Sequence, residues 1–268
     1  MCLALLAWRV HPDYPLVLAA NRDEFHARAA VPAAWWGEPS GMLAGRDLDA
    51  GGTWLGVTRD ARFAVLTNFR DPTRHDAAAP SRGVLVPRAL AQPDTLDATL
   101  DWLGREARAY NGFNLLFSDG ERLGIFESVP GTGRELAPGV YGLSNHLLDT
   151  PWPKVTAAKS QLATALARLP EEAPLLDLLR DGRPAADHQL PRTGLSLEWE
   201  RLLSSAFIRA PGYGTRCSTI VLVDRSGSVL FEEWSWDAAG EALGSVRHAF
   251  SREAPASAPS SRARSRLP

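Results

Sequence analysis

The chain has 268 residues, 45% of them hydrophobic and 22% charged, with a formal net charge of −2. That length can bury a substantial core in one large or two small domains, and the near-neutral charge makes no electrostatic case for nucleic acid or an anionic membrane. The two cysteines, Cys2 and Cys217, exclude a disulfide framework and a thiolate-rich metal centre.

CLALLAWRV is a continuous apolar run, HPDYP is turn chemistry and PLVLAANR is a second run, which together predict a hairpin. AVPAAWWGEPSG follows as an irregular Pro/Gly loop carrying Trp35 and Trp36. GGTWLGVT, the turn RDAR and FAVLTNFR predict a second hairpin of strands buried on both faces. Gly51-Gly52 reads as a turn, or as a close backbone approach to a nucleophile. Helical spacing then sets in, with Leu96, Leu100, Trp102 and Leu103 facing the core and Asp94 or Thr95 as the cap. Strands return in FNLLFSDGERLGIFES, where Asp119-Gly120 is a hairpin signal, and in VYGLSNH. A helical stretch runs from about Trp152 to Leu179 with a break near Pro170, and another helix is expected near LSLEWERLLSSAF. TRCSTIVLVD and SVLFEEWSW are the last predicted strands.

Blocks of strands separated by helical blocks argue for α+β layering, with two sheets packed face to face and covered by helices. One domain is expected over residues 1–250, followed by an Ala/Pro/Ser/Arg-rich disordered tail, 251–268. No stretch approaches the roughly 18 apolar residues of a membrane span, and no basic region precedes LALLAW as a signal peptide requires. The cysteine usage fits a reducing compartment, so a cytoplasmic protein is expected. The preference for Arg (Lys occurs only at 154 and 159) and the abundance of Ala read as genome composition, with a bacterial source expected.

Cys2 stands directly behind the initiator Met, and it is small enough for that Met to be trimmed. It would then carry a thiol and a free α-amine, with unperturbed pKa values of about 8.5 and about 7.7–8.0. A base tuned near neutrality on the same residue as a nucleophile is one way to build nucleophilic catalysis. The plain alternative is an ordinary buried Cys.

Four motifs place polar residues at the ends of apolar strands: LAANRDEF, VLTNFR, YGLSNH and GTRCST. Each taken alone is explained by Asn and Asp bonding nearby backbone at a strand end. Together they supply what a nucleophile attacking an amide needs. Asn68 and Asn145 can donate to an oxyanion, Asp23 can orient the amine, and Arg22 or Arg216 can favour thiolate.

These motifs, with GGTWLGV and GFNLLF and in this order behind Met-Cys, resemble the NRDE family, also called the transport and Golgi organisation family. The resemblance covers residues 1 to about 236. It implies an N-terminal-nucleophile (Ntn) hydrolase-like fold, a four-layer α/β/β/α sandwich. It also brings roles proposed for eukaryotic relatives in haem handling and in lipid or coenzyme A metabolism. A more distant similarity runs to the cysteine acylases of penicillin V and conjugated bile salts. It matches Cys2 to their nucleophile, Asn21 and Asp23 to an Asn-x-Asp segment, Asn68 and Asn145 to two later asparagines, and Arg216 to a late Arg. The departure is Ala20, where the acylases carry Arg; here the Arg is Arg22.

Alternation along a strand sets Asn21 and Asp23 on one side and Arg22 and Glu24 on the other. If Asp23 points at Cys2, Arg22 should turn away unless a bulge intervenes, and pair with Glu24 or Asp47. The expectation is an acyl hydrolase acting on a small non-peptide amide or thioester. Cys2, Asp23, Asn68, Asn145 and Arg216 carry the chemistry, supported by Asn21, Arg22 and Glu24. The rival is a non-catalytic carrier of haem or another hydrophobic metabolite, with Trp35, Trp36 and His146 at the ligand. The six histidines show no ligand spacing. Neither metal nor cofactor is expected, and the partner is a small molecule. Cys217, in an apolar strand, is expected to be inert.

Overall fold

The computed structural model describes residues 2–37, 41–91 and 95–254. Met1, the alternative cap Asp94 and the tail from residue 255 lie outside the described residues. The first hairpin forms as expected: β1 (Cys2–Trp8) and β2 (Leu16–Phe25) pair antiparallel. A second sheet follows in chain order as an antiparallel meander: β3 (Ala30–Trp35), β4 (Met42–Asp47), β5 (Leu55–Thr58), β6 (Phe63–Asn68), then, beyond two helices, β7 (Phe113–Ser118), β8 (Leu123–Glu127) and β9 (Thr132–Leu136). The two intervening helices are α1 (Leu85–Ala91) and α2 (Leu96–Glu106). Thr95 caps α2, its hydroxyl accepting from the Ala98 amide.

The chain then returns to the first sheet through β10 (Gly139–Leu143). It continues through α3 (Pro153–Leu166), α4 (Ala173–Leu179) and α5 (Leu197–Leu202) to β11 (Arg209–Ala210), β12 (Tyr213–Val223), β13 (Ser228–Trp236) and β14 (Ala242–Ser251). The first sheet has the order β10-β1-β2-β12-β13-β14, with β11 paired to β12.

Strand alternation explains the layers. On β1, Cys2, Ala4, Leu6 and Trp8 point into the core between the sheets, while Leu3, Leu5 and Ala7 pack under α3 and α4. A strand covered on both sides must be apolar throughout, which is why CLALLAW shows no polar alternation. On the other side, α1 and α2 set Val86, Leu90, Leu96 and Leu103 against Leu115 and Phe117 of β7. The molecule is a four-layer α/β/β/α sandwich.

Some strands depart from the expected pattern. Residues 30–35 form β3, an exposed edge strand, where an irregular loop was expected. A register shift between Val31 and Ala34 accommodates Pro32, and the Ala33 amide donates instead to Glu233 of the first sheet at 2.8 Å. Strands β9 and β14 are also mostly exposed, with Leu136 of β9 and Val246, His248 and Phe250 of β14 turned inward. The chain at residue 251, where a disordered tail was expected to begin, is the end of β14: Ser251 pairs with Ser228, and the amides of Arg252 and Glu253 donate to Gly227 and Arg59. Among the described residues, no helix is long and apolar enough to cross a membrane.

Candidate functional site

Cys2 opens β1, second from one edge of the first sheet, and register places it in a row that crosses five strands. Cys2 lies opposite Arg22, Arg22 opposite Cys217, Cys217 opposite Ser235, and Ser235 opposite Gly244. Cys2 and Cys217 thus flank Arg22, two strand spacings or about 9.6 Å apart, too far for a disulfide. A cleft of about 390 Å³ opens at the Cys2 end, lined by Cys2, Arg22, Asp23, Glu24, Asn68 and Arg82 among others. A second, of about 380 Å³, lies over Arg22, Cys217, Ser235 and Gly244, and Arg216 lines it. Arg22, Asp47, Thr53 and Trp54 belong to both walls.

Arg22 therefore sits beside Cys2, on the face between the sheets. It pairs there with Asp47 at 3.1 Å and approaches Glu24 at 3.9 Å, the partners expected for it. Asn21 and Asp23 lie on the opposite face of β2, under α3 and α4. Asn21 is fully buried: its Nδ2 donates to the carbonyls of Leu179 and Ala206, both at 2.8 Å, and its Oδ1 accepts from Ser218 at 2.6 Å. Those bonds tie β2 to α4 and β12. Asn21→Ala should cost about 2 kcal/mol or more in urea unfolding, since it strands buried carbonyls, with little change in Cys2 alkylation. Unchanged stability would contradict the clamp.

Asp23 is 1% exposed, and its Oδ1 accepts from Thr215 at 2.7 Å. Thr215 can reach it because β12 bulges at Arg216, returning Thr215 to the face of Ser218. The bulge expelled from that ladder is Arg216 itself. Its Nη1 donates to the carbonyls of Phe25, His26 and Arg28, so it braces the turn after β2 instead of facing Cys2. Asp23 and the Cys2 side chain lie on opposite faces of the sheet.

The two later asparagines converge on the same strand end. Asn145 is fully buried, and its Nδ2 donates to the Asn68 carbonyl at 3.0 Å. Ser144 links them to the first strand, its hydroxyl donating to the Cys2 carbonyl at 3.1 Å. Glu24 lines the Cys2 cleft and accepts from the Phe25 amide. The suggested ligand residues stand elsewhere. Trp35 packs against Phe250, with Arg59 4.0 Å over its ring; Trp36 donates to the Ala44 carbonyl, with Arg46 4.4 Å over its ring. His146 lies between Phe69 and Trp152, with Nδ1 2.9 Å from the Thr150 hydroxyl.

Several residues without an assigned role in the sequence surround Cys2. Arg82, in a short turn held by Ser81, lines the cleft and donates to the Gly112 carbonyl at 2.8 Å. Behind Asp23 lies a buried ion pair: Arg70 donates to Glu200 at 2.7 Å and stacks 4.5 Å from the Trp152 ring. Lys154, in the first turn of α3, is buried beside them.

Burial pushes the Cys2 thiol up, against the pull of Arg22 and the Asp23 amide. Burial also raises the Asp23 carboxyl, with Lys154 the largest opposing influence, and lowers Lys154 to about 8, with Asp23 opposing. Arg82 is lowered by burial and supported by Cys2. Cys217 is raised well above its ordinary value, by burial and then by Glu233. The resting Cys2 sulfur is thus a thiol, and chemistry at it requires a base.

The turn reading holds at Gly51, whereas the close approach at Gly52 is to the Gly83 backbone and not to the nucleophile. Gly51 has φ +71°, as a turn requires. A Cβ on Gly52 would lie 2.4 Å from the backbone carbonyl of Gly83, beside Arg82. Gly52→Ala should cost about 1–3 kcal/mol by overpacking; a variant that unfolds at the wild-type urea midpoint would contradict that contact.

The α/β/β/α layering is the one the family resemblance implied, with a cysteine at the head of the first strand. The chain belongs to the Transport and Golgi organisation 2 family, whose model matches residues 1–238. It is 37% identical to the Transport and Golgi organization protein 2 homolog of Bos taurus over 259 residues, 88% of this chain and 93% of that protein. To the Homo sapiens homolog it is 37% identical over 261 residues, with the same coverage, and to the Drosophila melanogaster protein 30% over 262 residues, 87% and 91%. Similar solved structures include a Caenorhabditis elegans N-acylethanolamine-hydrolyzing acid amidase ortholog, with TM-score 0.45, 10% identity and coverage of 82% of this chain and 92% of that one. Another is the C2A mutant of a Clostridium perfringens conjugated bile acid hydrolase, with TM-score 0.44, 11% identity and coverage of 94% and 92%.

Proposed function

We propose that the protein is an acyl hydrolase whose nucleophile is Cys2, made N-terminal by loss of Met1, and whose substrate is a small non-peptide amide or thioester. The observation that carries this reading is convergence: Cys2, Asp23 and Asn68 line one cleft, with Asn145 directly behind, although they come from four separate parts of the chain. Strand-end polar residues serving only local turns would have no reason to meet.

In this reading the α-amine of Cys2 takes the thiol proton, and Asp23 orients that amine. The sulfur attacks the substrate carbonyl, and the Asn68 amide donates to the oxyanion. Asn145 fixes Asn68 through its carbonyl and offers its second N–H. The protonated amine returns its proton to the leaving nitrogen or sulfur, and water cleaves the thioester on Cys2 to release the acid. Arg82 and Arg22 supply positive charge beside the sulfur. Arg216 enters as a brace of the cleft rim. His146, occupied by Thr150, Phe69 and Trp152, lends no support to a haem carrier. The test is p-nitrophenyl acetate, an activated acyl donor: a burst of one p-nitrophenolate per chain is expected, and no burst above the thiol background would overturn the reading.

A further inference from the structure

Lys154 has no part in the mechanism above, yet its position demands a reason. It is 5% exposed, and its Nζ has no hydrogen-bond partner among the described residues. A buried ammonium without a hydrogen bond is costly unless an opposite charge compensates it. The choice of residue is also informative. Two of the chain's 29 Lys and Arg are Lys, and the other, Lys159, pairs with Asp149. Lys is the cation whose charge responds to burial, whereas Arg stays charged.

Lys154 enters the first turn of α3, the helix packed on the face of β2 that carries Asp23. Three groups bear on it: Asp23 from β2 and Cys2 from β1 support its charge, and Arg70, beyond β6, opposes it. Arg70 is itself matched by Glu200 of α5, and Tyr213 of β12 faces Asp23 and Arg70. Asp23 is thus the main anion for Lys154, and Lys154 the main cation for Asp23.

We propose that Lys154 is a positioning residue of the Cys2 site: it is the counter-ion that keeps the buried Asp23 carboxylate ionised, and hence able to hold the α-amine of Cys2. The proposal rests on the nucleophile reading. Lys154, itself lowered to about 8 by burial, opposes the upward push of burial on the Asp23 carboxyl. Without it, burial drives Asp23 to take up a proton, and the amine loses its anchor as pH falls.

The test is the pH profile of Cys2 acylation by p-nitrophenyl acetate in the full-length protein. Lys154→Met should move the acid limb upward by about one pH unit or more and still reach a plateau, while Lys154→Arg should keep the wild-type limb. An unmoved limb in Lys154→Met overturns the proposal, as does an equal loss at every pH, which marks packing alone. If Lys154→Met does not fold, Lys154→Arg decides: an unmoved limb supports the counter-ion and a raised limb overturns it. A wild-type protein that is not acylated at Cys2 removes the site reading, and the proposal with it. A wild type that is acylated, with variants that do not shift, removes the proposal alone.

Discussion

Cys2→Ala is expected to abolish the p-nitrophenolate burst, a loss of at least about 10³-fold to background, because the group that forms the covalent bond is gone. Cys2→Ser should retain binding with much weaker acylation, since the hydroxyl is a poorer nucleophile in the same place. Cys217→Ala is the control. Its thiol lies on the same sheet face on the far side of Arg22, in the neighbouring cleft, and burial with Glu233 holds it protonated. The burst should therefore survive Cys217→Ala nearly unchanged. A burst that persists in Cys2→Ala and disappears in Cys217→Ala would reassign the chemistry to the second cleft.

The largest stability effect is expected at Arg70. Its guanidinium donates to Glu200, and Glu200 also accepts from the amide and hydroxyl of Thr193 at 3.0 and 2.6 Å. Both side chains are almost wholly buried, 3% and 4% exposed. Arg70→Met leaves the Glu200 carboxylate buried without its cation, and removing one partner of such a pair costs about 3–5 kcal/mol. Adding Glu200→Gln should restore much of that loss, because the penalty is the unpaired charge more than the lost attraction. Urea unfolding of the single and double variants measures both. Equal destabilisation in the double variant would mean that the Arg70 contact with Trp152, and not the ion pair, carries the effect.

How much of this was legible in the sequence followed from burial. Strands β1, β2, β5, β6 and β7 are buried along their length and appear as apolar runs closed by turn residues. Strands β3, β9 and β14 lie at or near sheet edges with exposed side chains. Their sequences carry little apolar pattern: in β14 burial alternates only from Val246 on, through His248 and Phe250. The site divides similarly. Cys2, Asp23, Asn68 and Asn145 stand at ends of strongly patterned strands, so their convergence could be anticipated. Arg70 stood in the quoted VLTNFR motif, but only the fold brings Glu200 from 130 positions away to meet it. Arg82 and Lys154 carried still less signal. The scarcity of Lys was visible, but its meaning at position 154 depends on α3 lying over Asp23. The placing of Arg216 depended on a bulge in its own strand, where β2 had been the strand in question.

Intact mass spectrometry before and after p-nitrophenyl acetate, followed by peptide mapping, tests the central claim most directly. The account predicts a chain that begins at Cys2 and gains one acetyl group, carried by the N-terminal peptide on Cys2. A chain that keeps Met1 in full, or an acetyl group found on Cys217 with Cys2 unmodified, would contradict it.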